Sequence, residues 1–160
     1  MKKFILFLGC MLCFYGTTLF AQRSANFTSP ETLLREGKNR YDNQNYAGCI
    51  SNMLEYKKTA SDPEGIQEVD FLIAASSFYM GKQDAGLDLK YYLDNYPVNR
   101  HRDEACFMIG SSHYAQGEYP VAVYWLTQAD LDNLSETQQE DYAYRLGFSY
   151  LKTQKRGEAK

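Results

Sequence analysis

Apolar positions recur along this chain at steps of three and four residues, the spacing of one face of an α-helix, and short polar breaks interrupt them at regular intervals. Ser29 can cap a helix opened by Pro30, and the spacing predicts that helix over 30–43, with Leu33, Leu34, Gly37 and Tyr41 on neighbouring turns. Asn43-Gln44-Asn45 break it. A second helix, 46–58, turns Tyr46, Cys49, Ile50, Met53 and Leu54 inward. In the turn SDPEG at 61–65, Ser61 or Asp62 can cap and Pro63 opens the next helix. That helix runs from about 65 to 80 with Ile66, Val69, Phe71, Leu72, Ala75, Phe78 and Tyr79 apolar, until Gly81 stops it. Residues 84–96 carry Ala85, Leu89, Tyr92, Leu93 and Tyr96. Pro97 closes this helix, because it cannot continue an α-helix without losing a hydrogen bond. A third pair is expected at 102–116 and 119–131, joined through the linker 130–135 to a helix over 136–153. Ser135 and Gln138 form a capping box there, and the helix holds Tyr142, Leu146, Gly147, Tyr150 and Leu151. QKRGEAK then begins a turn, with Ala159 where a partner helix would start burying its face. No strand-like alternation of any length appears, so the expected class is all-α.

The stretch EACFMIGSSHYAQGEYPVAVY, 104–124, reads as helix, tight turn and helix folding back, and the same arrangement recurs at intervals of 35–38 residues. Ile109-Gly110, Ala122 and Leu126 mark the third unit. The fourth has Leu146-Gly147-Phe148-Ser149-Tyr150, with Ala159 in register. Gly37 and Tyr46 stand 73 residues before Gly110 and Tyr119, with Cys49 in place of the alanine. In the second unit Ala75 takes the glycine position and the turn is about two residues short. These segments resemble tetratricopeptide repeats, whose unit of about 34 residues follows a W-x₂-L-G-x₂-Y…A-x₃-F…P pattern. The tryptophan position is filled by Leu33, Phe71, Cys106 and Ala143, and Trp125 lies elsewhere.

The resemblance implies antiparallel helix hairpins stacked as a right-handed α-solenoid of about three and a half repeats over 30–160. The units are 30–62, 63–98, 99–134 and an incomplete 135–160, expected to belong to a longer array. Small residues let two backbones touch, flanking large ones fill the holes, and each hairpin buries its apolar face only by stacking on the next. It further implies a concave groove lined by the leading helices. Its candidate residues are Leu34, Lys38 and Tyr41; Leu72, Ser76 and Tyr79; Phe107, Ser111 and Tyr114; Tyr144, Phe148 and Lys152. Tyrosine offers contact area with a polar tip and is enriched on recognition surfaces. For Tyr41, Tyr79 and Tyr114, near helix ends, packing between helices is the equal alternative.

The first 21 residues stand apart. Lys2 and Lys3 precede an uncharged run from Phe4 to Phe20, and Ala21 precedes Gln22. This is the layout of a secretory signal peptide, followed by a short flexible leader, 22–29. An uncleaved anchor is the alternative, since the run sits at the lower edge of spanning length, roughly 17–25 residues. Only six residues separate Lys3 from Cys10, too few for the apolar region a lipid-attachment cysteine needs. Loss of Lys2 and Lys3 takes the net charge from −3 to about −5. With no basic block either, nucleic acid is excluded as a partner. Export would permit a disulfide between Cys49 and Cys106, but both fall on apolar faces and are expected buried and unpaired.

His101 and His113 do not share a helix face, and His101 falls in the loop after Pro97 while His113 reads as a partly buried structural residue. Glu140-Asp141, Asp103-Glu104 and Asp130/Asp132 open helices or occupy loops, where the macrodipole favours negative charge. Arg100-His101-Arg102 reads as a solvated basic cluster. No hydrolase, phosphate-loop or dinucleotide motif occurs. The expectation is therefore a non-enzyme with no cofactor and no metal, whose partner is a protein or peptide. The membrane is met only through the signal segment. The signal ending in Ala-Gln and the YLDNYP exit are similar to exported envelope repeat proteins of Gram-negative bacteria. That similarity implies an interaction scaffold in the periplasm or at the outer membrane. The alternatives are a carbohydrate- or peptide-binding part of a nutrient-uptake lipoprotein, or a regulatory front end of a longer multidomain protein.

Overall fold

The computed structural model describes residues 29–158, with side chains to position 154. The expected signal segment 1–21, leader residues 22–28 and Ala159 lie outside the described residues. Among the described residues the protein is all-α, with seven helices and no strand. The helices are α1 Pro30–Asp42, α2 Tyr46–Thr59, α3 Pro63–Tyr79, α4 Ala85–Asn95, α5 Arg102–Ala115, α6 Tyr119–Leu126 and α7 Glu136–Glu158. A short 3-10 turn, Leu131–Asn133, separates the last two. None of the described helices is long and apolar enough to cross a membrane.

Side chains satisfy the orphan backbone donors at four helix starts. Ser29 Oγ accepts from the Thr32 amide at 3.3 Å, and Asn45 Oδ1 accepts from the Gly48 amide at 3.1 Å. Asp62 Oδ2 accepts from the Gly65 amide at 2.7 Å. The capping box closes as expected, with the Gln138 amide donating to Ser135 Oγ at 3.4 Å and the Ser135 amide to Gln138 Oε1 at 3.0 Å.

Helices α1, α3 and α5 end in one and the same way. Gln44, Gly81 and Gly117 take φ values of 60°, 69° and 76°, the left-handed region that reverses the chain. Each of their amides donates three residues back, to Tyr41, Phe78 and Tyr114. The next amides, of Asn45, Lys82 and Glu118, donate five back, to Arg40, Ser77 and His113. Both bonds define the Schellman motif. The three turns lie 37 and 36 residues apart, so the sequence period is written into the backbone.

Counting seven residues back from each turn reaches Gly37, Ala74 and Gly110, all buried. The equivalent of glycine in the second hairpin is thus Ala74, one residue before the expected Ala75. The second helices answer with a small residue and, four later, a large one: Cys49 and Met53, Ala85 and Leu89, Ala122 and Leu126. All six are buried. The second turn is therefore one residue short, not two. Tyr41 against Tyr46 and Tyr114 against Tyr119, with Gly37 against Met53 and Gly110 against Leu126, make the first and third pairs antiparallel. Every helix packs on the next in sequence, and α1, α3, α5 and α7 also pack each on the next of that series. Cys49 and Cys106 are buried and unpaired, as expected, and burial pushes both thiols up in pKa.

Three other expectations change. Leu54 is exposed, not inward. Helix α6 stops at Leu126, because the Thr127 hydroxyl donates to the carbonyls of Val123 and Tyr124 and the following loop is tied to α5. Asp103 on α5 makes that tie, accepting from the Asp130 amide at 2.9 Å and from Asn133 Nδ2 at 2.8 Å. Helix α7 runs through the expected turn to Glu158. A lone glycine, Gly157, costs a helix only about 1 kcal/mol and does not end it.

Candidate functional site

The leading helices α1, α3, α5 and α7, with the first residues of α2 and α6, carry two aromatic clusters. The first holds Tyr41, Tyr46 and Tyr79, with Tyr46 and Tyr79 stacked at 5.1 Å and Tyr41 edge-on to both. The second holds Tyr114, Tyr119, Tyr144 and Phe148, with Tyr144 and Phe148 stacked at 6.1 Å. Tyr41 and Tyr46 precede Tyr114 and Tyr119 by 73 residues, so these two pairs follow from the period, while Tyr79 corresponds to Lys152. Lys152 Nζ lies 5.1 Å over the Phe148 ring, and the Arg145 guanidinium lies near 6 Å from both Phe107 and Tyr114. Such placements favour a cation over a ring face.

A polar link ties the first cluster to α5 and α7. Gln138 Nε2 on α7 donates to the Tyr79 hydroxyl at 3.3 Å and to Glu104 Oε1 on α5 at 3.2 Å. Burial pushes the Tyr41 hydroxyl up in pKa and the Glu104 charge adds to it; the same two causes raise Tyr79. Tyr41 Oη is enclosed and has no hydrogen-bond partner among the described residues.

A second feature lies at the other end of α3. Glu68 receives Lys38 Nζ of α1 at 2.9 Å, His101 Nε2 at 2.9 Å and the Arg100 guanidinium. The His101 ring stacks flat on Phe71 at 3.8 Å, and its Nδ1 lies 3.6 Å from Glu104. Burial of Glu68 disfavours its charge, but hydrogen bonds from His101, Arg100 and Lys38 outweigh that and hold its carboxyl well below the usual range. Burial likewise opposes the His101 imidazolium, and Glu104 and Glu68 overcome it, raising the pKa. Beside this hub runs an open cleft of about 630 Å³ lined in part by Leu34, Lys38, Glu64, Val98 and Arg100.

The expected groove residues divide. Tyr79 and Tyr144 are 40% and 63% exposed, Lys152 is exposed, and Leu34, Lys38, Tyr41, Tyr114 and Phe148 are half-buried. Leu72, Ser76, Phe107 and Ser111 are interior, at 4%, 0%, 3% and 1%, out of reach of a ligand. The reason is position. Helices α3 and α5 are flanked on both sides by other leading helices, so their inward faces are covered, whereas α1 and α7 each have one such neighbour. Phe107 lies under Arg145 besides.

Residue patterning alone missed Glu68, Glu104, Gln138 and Arg145 as members of this face. Arg100 and His101, read as solvated, instead pair with Glu68. The available signal was Glu68 itself, a charge beside Val69 in an apolar segment with a basic loop one unit downstream. His113 is half-buried and bonded through Nδ1 to Glu118 at 2.6 Å. Among the described residues no group of three His, Cys, Asp or Glu side chains could hold a metal ion. No protein-family model, no curated protein and no solved structure matches the chain.

Proposed function

We propose that this protein is a tetratricopeptide-like interaction module whose leading-helix face holds an extended segment of a partner protein. Three identical turns at one period, each seven residues after a buried Gly or Ala, support reading the hairpins as a stacked array. The observation that carries the binding reading is the Tyr79–Gln138–Glu104 link, which ties α3, α5 and α7 together on the face that carries the two aromatic clusters. It makes one surface from three leading helices, with aromatic area and polar tips side by side. That combination suits a peptide, whose backbone needs hydrogen bonds while its side chains need apolar contact. The histidines and the Glu68 carboxylate are engaged in bonds within the chain, which favours binding over catalysis. The charged start and uncharged run of residues 2–20 support an exported, envelope location.

The test is selection of peptides from a displayed random library on the immobilised chain. Selected peptides should lose at least tenfold in affinity to Tyr79→Ser and Tyr144→Ser variants and bind a Tyr91→Ser variant on α4 unchanged. Enrichment of no peptide, or equal binding to all variants, overturns the proposal. Saturable binding of a glycan panel with no peptide selected does so too.

A further inference from the structure

Glu104 of α5 stands where the first aromatic cluster meets the Glu68 hub. Its Oε1 accepts from Gln138 Nε2 at 3.2 Å, and the same nitrogen donates to the Tyr79 hydroxyl. Its Oε2 faces His101 Nδ1 at 3.6 Å, an ionic approach too long for a hydrogen bond. The side chain keeps 26% of its surface in solvent. Burial, and after it the Glu104 charge, raise the Tyr41 and Tyr79 hydroxyls in pKa, so the carboxylate acts on that cluster.

The two carboxylates that face the His101 ring are unequally supplied with cations. Glu68 of α3 holds Lys38 of α1 and Arg100 as well as His101. Among the described residues Glu104 has one ion-pair partner, the His101 ring. Arg100 Nε lies 3.1 Å from His101 Nε2, ready to donate to a neutral ring. Tyr92 of α4, which meets Phe71 beside the ring, has its hydroxyl pushed up to about 12 by burial and stays uncharged near neutrality. Loss of the ring's proton therefore leaves Glu68 paired and Glu104 alone. That end of the face then presents three tyrosines beside a bare carboxylate, while Arg145 and Lys152 lie over rings nearer the second cluster.

We infer that Glu104 is a specificity-determining residue of this face, taking a basic side chain of the partner segment in place of His101. The inference rests on the proposed peptide-binding function and adds the chemistry of one peptide position. A Lys or Arg suits the place, because its stem can lie on a tyrosine ring while its head pairs with the carboxylate. The partner's cation and the imidazolium compete for one carboxylate, so each weakens the other by the same factor. The ring carries its charge below about pH 6.5 and loses it above its raised folded pKa. A basic segment therefore binds more tightly as pH rises.

The probes are two displayed nonapeptide libraries, one with Arg fixed at the centre and one with Glu, selected on the immobilised chain at about pH 8. Recovered peptides are synthesised with blocked ends, so that their termini do not titrate, and followed by fluorescence anisotropy at about pH 6 and 8. The Arg library should be enriched, and its peptides should bind at least about fivefold more tightly at the higher pH. His101→Gln should remove that dependence. Glu104→Gln should weaken binding at least tenfold at the higher pH with unchanged circular dichroism; if that variant unfolds, the profiles of the parent chain and of His101→Gln decide. His113 stays bonded to Glu118 in both variants, so a slope that persists in His101→Gln does not come from His101 and overturns the inference. Recovery from the Glu library alone, Arg peptides whose affinity is flat or falls with pH, or indifference to a folded Glu104→Gln overturns it too. Each of these leaves the peptide-binding reading standing. No peptide from either library overturns that reading, and this inference with it.

Discussion

Leu126 crosses Gly110 so closely that a Cβ on the glycine would sit 2.7 Å from its Cγ and 3.0 Å from its backbone nitrogen. A backbone atom cannot swing aside as the end of a side chain can. Gly110→Ala must push α6 away from α5, a strain worth roughly 1–3 kcal/mol. At Gly37 the closest atom is the methyl end of Met53, which can rotate, and alanine gains up to about 1 kcal/mol of helix propensity. Gly37→Ala should then be close to neutral. Gly147→Ala meets open space and should stabilise by up to about 1 kcal/mol. Urea unfolding of the three variants tests this order. Equal losses at Gly110 and Gly147 would contradict it.

The Glu68 hub makes stability depend on pH with a definite sign. His101 has a raised pKa, so its contribution is complete below the unfolded value of about 6.5 and is lost as pH rises through the folded value. Glu68 of α3 and Glu104 of α5 face the ring and favour its charge, while Arg100 opposes it and Lys38 of α1 shares Glu68. The urea midpoint should fall as pH goes from about 6 to 8, and His101→Gln should flatten that slope. Glu68 has a depressed pKa, so its share is present above about pH 4.3 and disappears as acid reaches its folded value. A midpoint that climbs between pH 6 and 8 would show the imidazolium is not the favoured form.

Asp103 anchors the loop after α6 through two bonds, one to the Asp130 amide and one to the Asn133 side chain. Asp103→Ala should leave the helical content intact and cost little, each exposed bond being worth about 0.5–1.5 kcal/mol. Its effect should be local. Hydrogen exchange at the Asp130 amide should accelerate, and limited proteolysis should cut between 128 and 135. Unchanged exchange there would mean the anchor lies elsewhere.

Cys49 and Cys106 combine burial with thiols held protonated, and the thiolate is the reactive form. Maleimide treatment of the native chain, read by peptide mapping, should leave both unlabelled, and addition of urea should label both. Native labelling of either would place that hairpin face in contact with solvent.

Much of this was legible in the order of residues, for reasons that are local. Caps, turns and helical faces are set by neighbours within about one turn. Ser29, Asp62, Ser135 and Gln138 accordingly cap as their side chains allow, and Gly81 and Gly117 reverse the chain where a left-handed residue is needed. The second hairpin slipped by one, because Ala74 and Ala75 are both small and both buried and only the turn geometry separates them.

The chain by itself thus determined an all-α protein with a period near 37 residues, because periodicity in apolar spacing is a property of adjacent residues. Tertiary structure alone decided which groove candidates reach solvent, since Leu72 and Phe107 have the same character as Leu34 and Phe148 and differ only in how many helices flank them. It also decided that Glu68 and the basic loop at 100–101 meet, and that Tyr79 reaches Gln138 across 59 positions. Such meetings depend on how one helix leans on another, and no local pattern encodes the angle.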